Sequence, residues 1–116
     1  MNLVKDAAGA ITIIHVDEDR LDAAVAIQFK DSFRALVENG AGPVVMSLEK
    51  VEFLDSSGLG AVVAARKLLG VDRRLDLASL QPAVEKVMIL TRMNTVFTIH
   101  DDLQQALEAY GAARAS

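Results

Sequence analysis

Cysteine and tryptophan are absent from this chain of 116 residues. Without thiols there can be no disulfide, no thiolate metal site and no cysteine nucleophile, which fits a reducing compartment. Aromatic residues make up only 4%, so a core has to be assembled from Val, Leu, Ile and Ala with a few Phe and Met. No apolar run approaches the ~20 residues that a membrane-spanning helix needs. The opening stretch MNLVKDAAGA holds no long apolar segment, which predicts neither a signal peptide nor an anchor and leads us to expect a cytoplasmic protein without membrane association. Positive charge is also short, with 12 Lys and Arg against 16 Asp and Glu and a net charge of −4. Nucleic-acid binding rests on a positive field. Basic residues here cluster only in small spots such as Arg73-Arg74, so direct nucleic-acid binding is not expected. What the chain does have is 52% hydrophobic and 24% charged residues, the balance of a globular chain. With no repeat, low-complexity tract or linker, one domain over 1–116 is expected, its core running from about 3 to 110.

The apolar pattern alternates between two periods. Residues 3–5 read as a short first strand, the Ala7-Ala8-Gly9-Ala10 stretch as a turn, and the β-branched run 11–16 as a second strand. Asp22 is placed to cap a helix over about 23–39, whose inner face would carry Ala26, Phe29, Phe33, Leu36 and Val37. Asn39-Gly40 closes it. Residues 44–48 form a short apolar run suited to a central strand, and residues 51–54 continue to Asp55. A second helix is predicted over about 57–69, with Leu59, Val62, Val63, Arg66 and Leu69 to one side and Gly70 ending it. Residues 75–78 read as a strand, 82–92 as a helix opened by Pro82, and 96–99 as a strand. Asp101 is placed to cap a last helix with Leu103, Ala106, Leu107 and Tyr110 inward; the closing AARAS is expected to fray. The order β-β-α-β-α-β-α-β-α predicts an α/β fold: a mostly parallel mixed sheet with a leading antiparallel edge strand and four helices packed mainly on one face. Sites in such sheets lie just past the carboxyl ends of strands.

The stretch VEFLDSSGLGAVVAARKLLG, residues 51–70, puts Asp-Ser-Ser-Gly at such a position, between a buried strand and a helix. One reading is purely structural: Ser56 or Ser57 caps the helix, worth about 1 kcal/mol. Gly58 and Gly60 each cost about 1 kcal/mol relative to Ala inside a helix, which suggests that something, another backbone or a phosphate, must come close to the first turn. A nucleophilic serine would need a base, and the only histidines, His15 and His100, sit in no recognisable motif. The phosphate-loop pattern G-x-x-x-x-G-K-[ST], the G-x-G-x-x-G fingerprint and zinc-type ligand clusters are all missing, so no cofactor is expected. A further use is as a phosphate acceptor: a phosphoserine brings about −1.5 to −2 charges, tolerated at a helix N-terminus but disruptive to a partner docked over it.

FLDSSGLGAVVAARKLLG, in this place of this element order, resembles the STAS domain, and the stand-alone bacterial anti-sigma factor antagonists most of all. RLDAAVAIQFKDSFRALV is similar to that family's first helix with its preceding Leu-Asp, and LDLASLQPAVEKVMILTRMNTVFTIHDDLQQAL to its closing half. The resemblance implies partner switching. The unphosphorylated antagonist binds an anti-sigma factor that is also a serine kinase of the histidine-kinase-like ATPase type, the kinase phosphorylates the serine after the motif Asp, and a metal-dependent serine phosphatase resets it. It implies Ser56 as acceptor, Asp55, Ser57 and Asp22 as its support, Gly58, Leu59 and Gly60 as partner-binding positions, and no catalysis by this chain. Two positions depart from the pattern: HVDEDRLD has no glycine before Leu-Asp, and Ser47 stands where an aspartate is common. The same fold in transport machinery, as a subunit that is not phosphorylated, is the alternative the resemblance allows.

Overall fold

The structure, a computed structural model, describes residues 2–111. Strands β1 (Leu3–Ala8) and β2 (Ile11–Val16) form a hairpin. Strands β4 (Val44–Ser47), β6 (Leu75–Ala78) and β7 (Ile99–His100) extend it in the order β1-β2-β4-β6-β7, all parallel beyond the first pair. Every residue of β4 and β6 is buried, as near-continuous apolar runs in the middle of a parallel sheet must be. Between these strands run α1 (Ala26–Val37), α2 (Ser56–Leu69) and α3 (Pro82–Leu90); α4 (Leu103–Ala109) closes the described chain. Residues 112–116, on which the expectation of a frayed tail falls, lie outside the described residues.

The sheet has two unlike faces. On one, Ile14, Val16, Met46 and Leu77 pack against Phe29, Phe33 and Val37 of α1, Val62 and Ala65 of α2, and Val84 and Met88 of α3. The rings of Phe29 and Phe33 stack with centroids 6.2 Å apart. On the other, Ile11, Ile13, Val45 and Ala78 are covered by Ala106 of α4, with Leu103, Leu107 and Tyr110 beside it. Three helices thus share one face and α4 alone takes the other.

The strand at the end of 51–54, expected as a continuation of the central one, is separate from it and pairs with a strand that was not expected. β3 (Arg20–Leu21) and β5 (Phe53–Leu54) pair in parallel outside the main sheet. Asp19 anchors the pair by accepting from the N–H groups of Glu52 and Phe53 at 2.8 and 3.2 Å. The Arg20 guanidinium lies 4.3 Å from the centroid of the Phe53 ring, a contact worth about 0.5–1 kcal/mol when exposed. The pair displaces the start of α1. Asp22 does not cap that helix: its side chain accepts from Ala24 N–H at 3.1 Å and pairs with Arg20, and the helix begins at Ala26 without a side-chain cap. The last helix is capped one residue later than expected, by Asp102, which accepts from Gln105 N–H at 2.8 Å. Residues 93–95 form a 3₁₀ turn, so the last strand is shorter and later than the sequence suggests.

Candidate functional site

The strand pair β3–β5 and the first turn of α2 build the end of the fold that holds Ser56. Leu21 stands opposite Leu54, so the residues after them, Asp22 and Asp55, emerge side by side at the ends of two parallel strands. Asp55 N–H donates to the Leu21 carbonyl at 3.3 Å, and this carries the β3–β5 pairing into the turn.

Asp55, not a serine, caps α2. Its backbone is extended, its Oδ1 accepts from Gly58 N–H at 2.8 Å, and its carbonyl accepts from Leu59 N–H at 2.9 Å. A carboxylate here also faces the positive end of the helix dipole, adding about 0.3–1 kcal/mol. Because Asp55 fills the cap, Ser56 and Ser57 become the first two residues of the helix. Both are exposed. Among the described residues neither hydroxyl has a hydrogen-bond partner, and their backbone N–H groups belong to the unpaired set of a helix start.

The two glycines differ. Gly58 is buried, and a Cβ built on it would stand 2.6 Å from the Leu21 carbonyl carbon and closer still to the oxygen. What approaches Gly58 is the chain's own backbone, strand β3. Of the two approaches the sequence left open, another backbone or a phosphate, this is the first: the missing side chain lets α2 seat against β3. Gly60 is exposed with nothing within 4 Å of a Cβ, and Leu59 is half-buried between them. The buried stripe of α2 is Gly58, Ala61, Val62 and Ala65, where small residues let the helix lie close to its neighbours; of the expected side, Val62 is buried and Leu59, Val63 and Leu69 pack half-buried against the core.

The surroundings of Ser56 are acidic. Asp17, Glu18, Asp19, Glu49 and Glu52 line one cavity at this edge together with Lys50 and Gln81. The nearby cations are already paired, Lys50 with Asp17 at 3.0 Å and Arg20 with Asp22 at 3.1 Å.

Both histidines point away from α2. His15 and His100 pair in register with Ser47 and Ala78, so they project on the α4 face while α2 covers the opposite one. His100 Nε2 lies 2.9 Å from Oδ2 of buried Asp76, whose Oδ1 takes Arg74 Nη2 at 3.2 Å. The sheet separates Ser56 from either imidazole, and among the described residues no hydrogen bond joins them. Tyr110 lies over this cluster with a buried hydroxyl that finds no well-aligned hydrogen bond. Burial, then the neighbouring Asp76 carboxylate, push its pKa up to about 12. The one sequence signal for the cluster was an aspartate inside the apolar strand LDLA. Among the described residues no group of acidic and imidazole side chains could hold a metal, and no helix is long and apolar enough to cross a membrane.

Known proteins share this architecture. A Bordetella bronchiseptica protein named as an anti-sigma factor antagonist, BtrV, is 28% identical over 94 residues, covering 80% of this chain and 81% of its own. The structure of a Planctomyces limnophilus anti-sigma-factor antagonist (STAS) domain protein superposes with a TM-score of 0.83 at 26% identity, over 92% of this chain and 95% of that one. The Bacillus cell fate determinant SpoIIAA shares the fold in its unphosphorylated form, with a TM-score of 0.73 at 19% identity over 97% of this chain and 100% of its own. Its phosphorylated form gives 0.67 at 17% identity over 94% and 99%. The model of the STAS domain matches residues 2–106, the whole sheet and every helix except the last turn of α4, and the chain belongs to the STAS domain family.

Proposed function

We propose that this protein is an anti-sigma factor antagonist that works by partner switching, with Ser56 as its phosphate acceptor. The observation that carries the reading is the first turn of α2: an exposed Ser56 hydroxyl with no partner among the described residues, freed by Asp55 taking the cap. Unphosphorylated, the surface formed by Ser56, Leu59 and Gly60 binds an anti-sigma factor that is also a serine kinase of the histidine-kinase-like ATPase type. Ser56 Oγ attacks the γ-phosphorus of the kinase's ATP. The new Oγ–P bond replaces the bond to ADP, and the hydroxyl proton passes to a base on the kinase. A metal-dependent serine phosphatase hydrolyses the ester and restores the hydroxyl. This chain is the substrate and supplies position, not catalysis: Asp55 fixes the start of the helix, and Ser57 and Asp22 flank the acceptor.

The charge balance supports a switch that acts on the complex and leaves the fold intact. The phosphate, about −1.5 to −2 charges, sits at a helix N-terminus whose dipole favours anions. It joins Asp22, Asp55 and the acidic cavity beside them, so a docked partner meets added bulk and a strongly negative edge. The test uses the chain with its cognate kinase. Ser56→Ala is expected to bind like the unmodified protein and to stay bound when ATP is added, while the wild type is released. Release of Ser56→Ala by ATP would contradict the assignment.

A further inference from the structure

The two edges of the main sheet, β1 and β7, are built differently. An open edge is a template for another strand, and native chains usually blunt it with charge. β1 is blunted: Lys5 and Asp6 stand exposed at its middle. Asp17 N–H donates to the Asn2 carbonyl at 2.8 Å, and the alternation this sets along the hairpin turns the backbones of Leu3, Lys5 and Ala7 outward. Of these outward donors, Ala7 N–H is already taken by Asp6 Oδ1 at 2.8 Å.

β7 has no such protection. Residues 95–99, TVFTI, carry no charge. The carbonyls of Thr98 and His100 accept from Leu77 and Ser79 N–H at 3.0 and 3.3 Å. These two residues therefore turn their backbones to β6, and Ile99 between them turns its N–H and carbonyl outward, where the sheet has no further strand. Along this edge runs a cavity of about 480 Å³ lined by Glu85 and Ile89 of α3 and by residues 94–99. Ile89 is 55% exposed, Leu90 next to it 72%, and Val96 in the same lining 38%. This is apolar surface that a strand added to β7 would cover. Charge selects the occupant. Glu85, Ile89 and Arg92 fall at i, i+4 and i+7, with Arg92 just past the end of α3. Both charged residues are exposed, and neither side chain makes a hydrogen bond or ion pair among the described residues. A stripe that reads negative, apolar, positive complements its own reverse.

We propose that the β7 edge and the outer face of α3 bind a second copy of this chain across a two-fold axis. The axis passes beside Ile99 and Ile89, which line the same cavity. It lays β7 antiparallel to the β7 of the second copy, and the two Ile99 residues exchange both of their outward backbone bonds. It sets Ile89 against Ile89 and brings each Glu85 to Arg92 of the other copy, so the contact is isologous and closes at two. No like charges meet along the stripe. The pairing uses neither Ser56 nor the acidic edge beside it, so it is independent of the partner-switching reading and is tested without kinase.

The test is sedimentation of the isolated full chain from about 1 μM to about 1 mM, with amide exchange measured at both ends of the range. The expected result is a reversible monomer–dimer equilibrium with a Kd of about 1–100 μM, as suits a small interface. Ile99 N–H should gain protection in step with the dimer. Glu85→Lys or Arg92→Glu alone should raise the dimer Kd about tenfold, because each opposes like charges twice per dimer. The two changes together restore opposite signs and should bring the Kd back to within about threefold of wild type. Both fall on exposed side chains without partners, so the fold tolerates them. A monomer at every concentration would overturn the proposal and leave the edge to a strand of another protein. A dimer that protects Lys5 N–H of β1 instead of Ile99, or a double variant no better than the single ones, would overturn it as well.

Discussion

Gly58→Ala is the substitution that separates an internal role from a docking role within one turn of helix. By propensity alone the change should help, since Ala is favoured over Gly by about 1 kcal/mol inside a helix. The structure opposes it. The new Cβ would stand 2.6 Å from the Leu21 carbonyl carbon and 3.0 Å from Leu21 Cβ. That backbone cannot swing aside like the end of a flexible side chain. It is paired with β5 and accepts from Asp55 N–H. Forcing extra carbon into a packed site costs about 1–3 kcal/mol, more when backbone must move. The net expectation is a loss of about 2 kcal/mol. At roughly 4 °C per kcal/mol for a domain of this size, Tm should fall by about 8 °C. Gly60→Ala is the internal control. Its Cβ meets nothing within 4 Å, so the propensity gain should stand alone, at about 0.5–1 kcal/mol. Urea unfolding of both variants, followed by circular dichroism, measures the difference. Amide exchange at Leu21 and Leu54 locates it, because displaced strands should lose protection. A Gly58→Ala variant as stable as Gly60→Ala would refute the account of how α2 seats on β3.

Asp55→Ala should cost about 1 kcal/mol in the same urea assay, the usual loss of an N-cap, and Asp55→Asn should recover most of it. Gly60→Arg should leave stability within about 0.5 kcal/mol of wild type yet abolish binding to the kinase in calorimetry; normal binding would misplace the docking surface. Tyr110, the chain's only tyrosine, makes a clean optical titration possible. With a folded pKa raised to about 12 from the ordinary value of 10.0, its contribution to stability is complete below pH 10 and is lost as pH rises towards 12. The phenolate absorbance of the folded protein should therefore appear well above that of the urea-unfolded chain, and coincident midpoints would contradict the burial beside Asp76.

The long elements were legible because their periods are plain. The run ITIIHV could only be a strand with both faces occupied, and Phe29, Phe33 and Val37 fall at helical spacing. β3 and its pairing with β5 were not legible: Arg20–Leu21 and Phe53–Leu54 are two residues each, too short for any period, and the pair exists because their backbones find each other across the fold. That missed pair explains two further differences. It set Asp22 in a turn instead of a cap, and it created the close approach that only a glycine at 58 admits. The inner face of α2 was legible in part: Val62, Leu59 and Val63 do pack on the core, but hydropathy gives no signal for Gly58, Ala61 and Ala65, which close packing buries beside them. At the site, the residue types were readable and their division of labour was not. Asp-Ser-Ser offers three possible caps, and only the backbone conformation decides that Asp55 takes the place and leaves Ser56 free. The Asp76–His100 pair joins residues 24 positions apart, beyond the reach of local pattern.

The central claim is that Ser56 carries the switch, and the most direct test is mass spectrometry of the protein from its native cells. Intact mass and peptide mapping would be compared before and after treatment with a serine phosphatase. The account predicts one phosphate, on the peptide that spans Asp55 to Arg66 and at Ser56 within it, removed by the phosphatase. No phosphate on that peptide under any growth condition, or a phosphate confined to another residue, would contradict it.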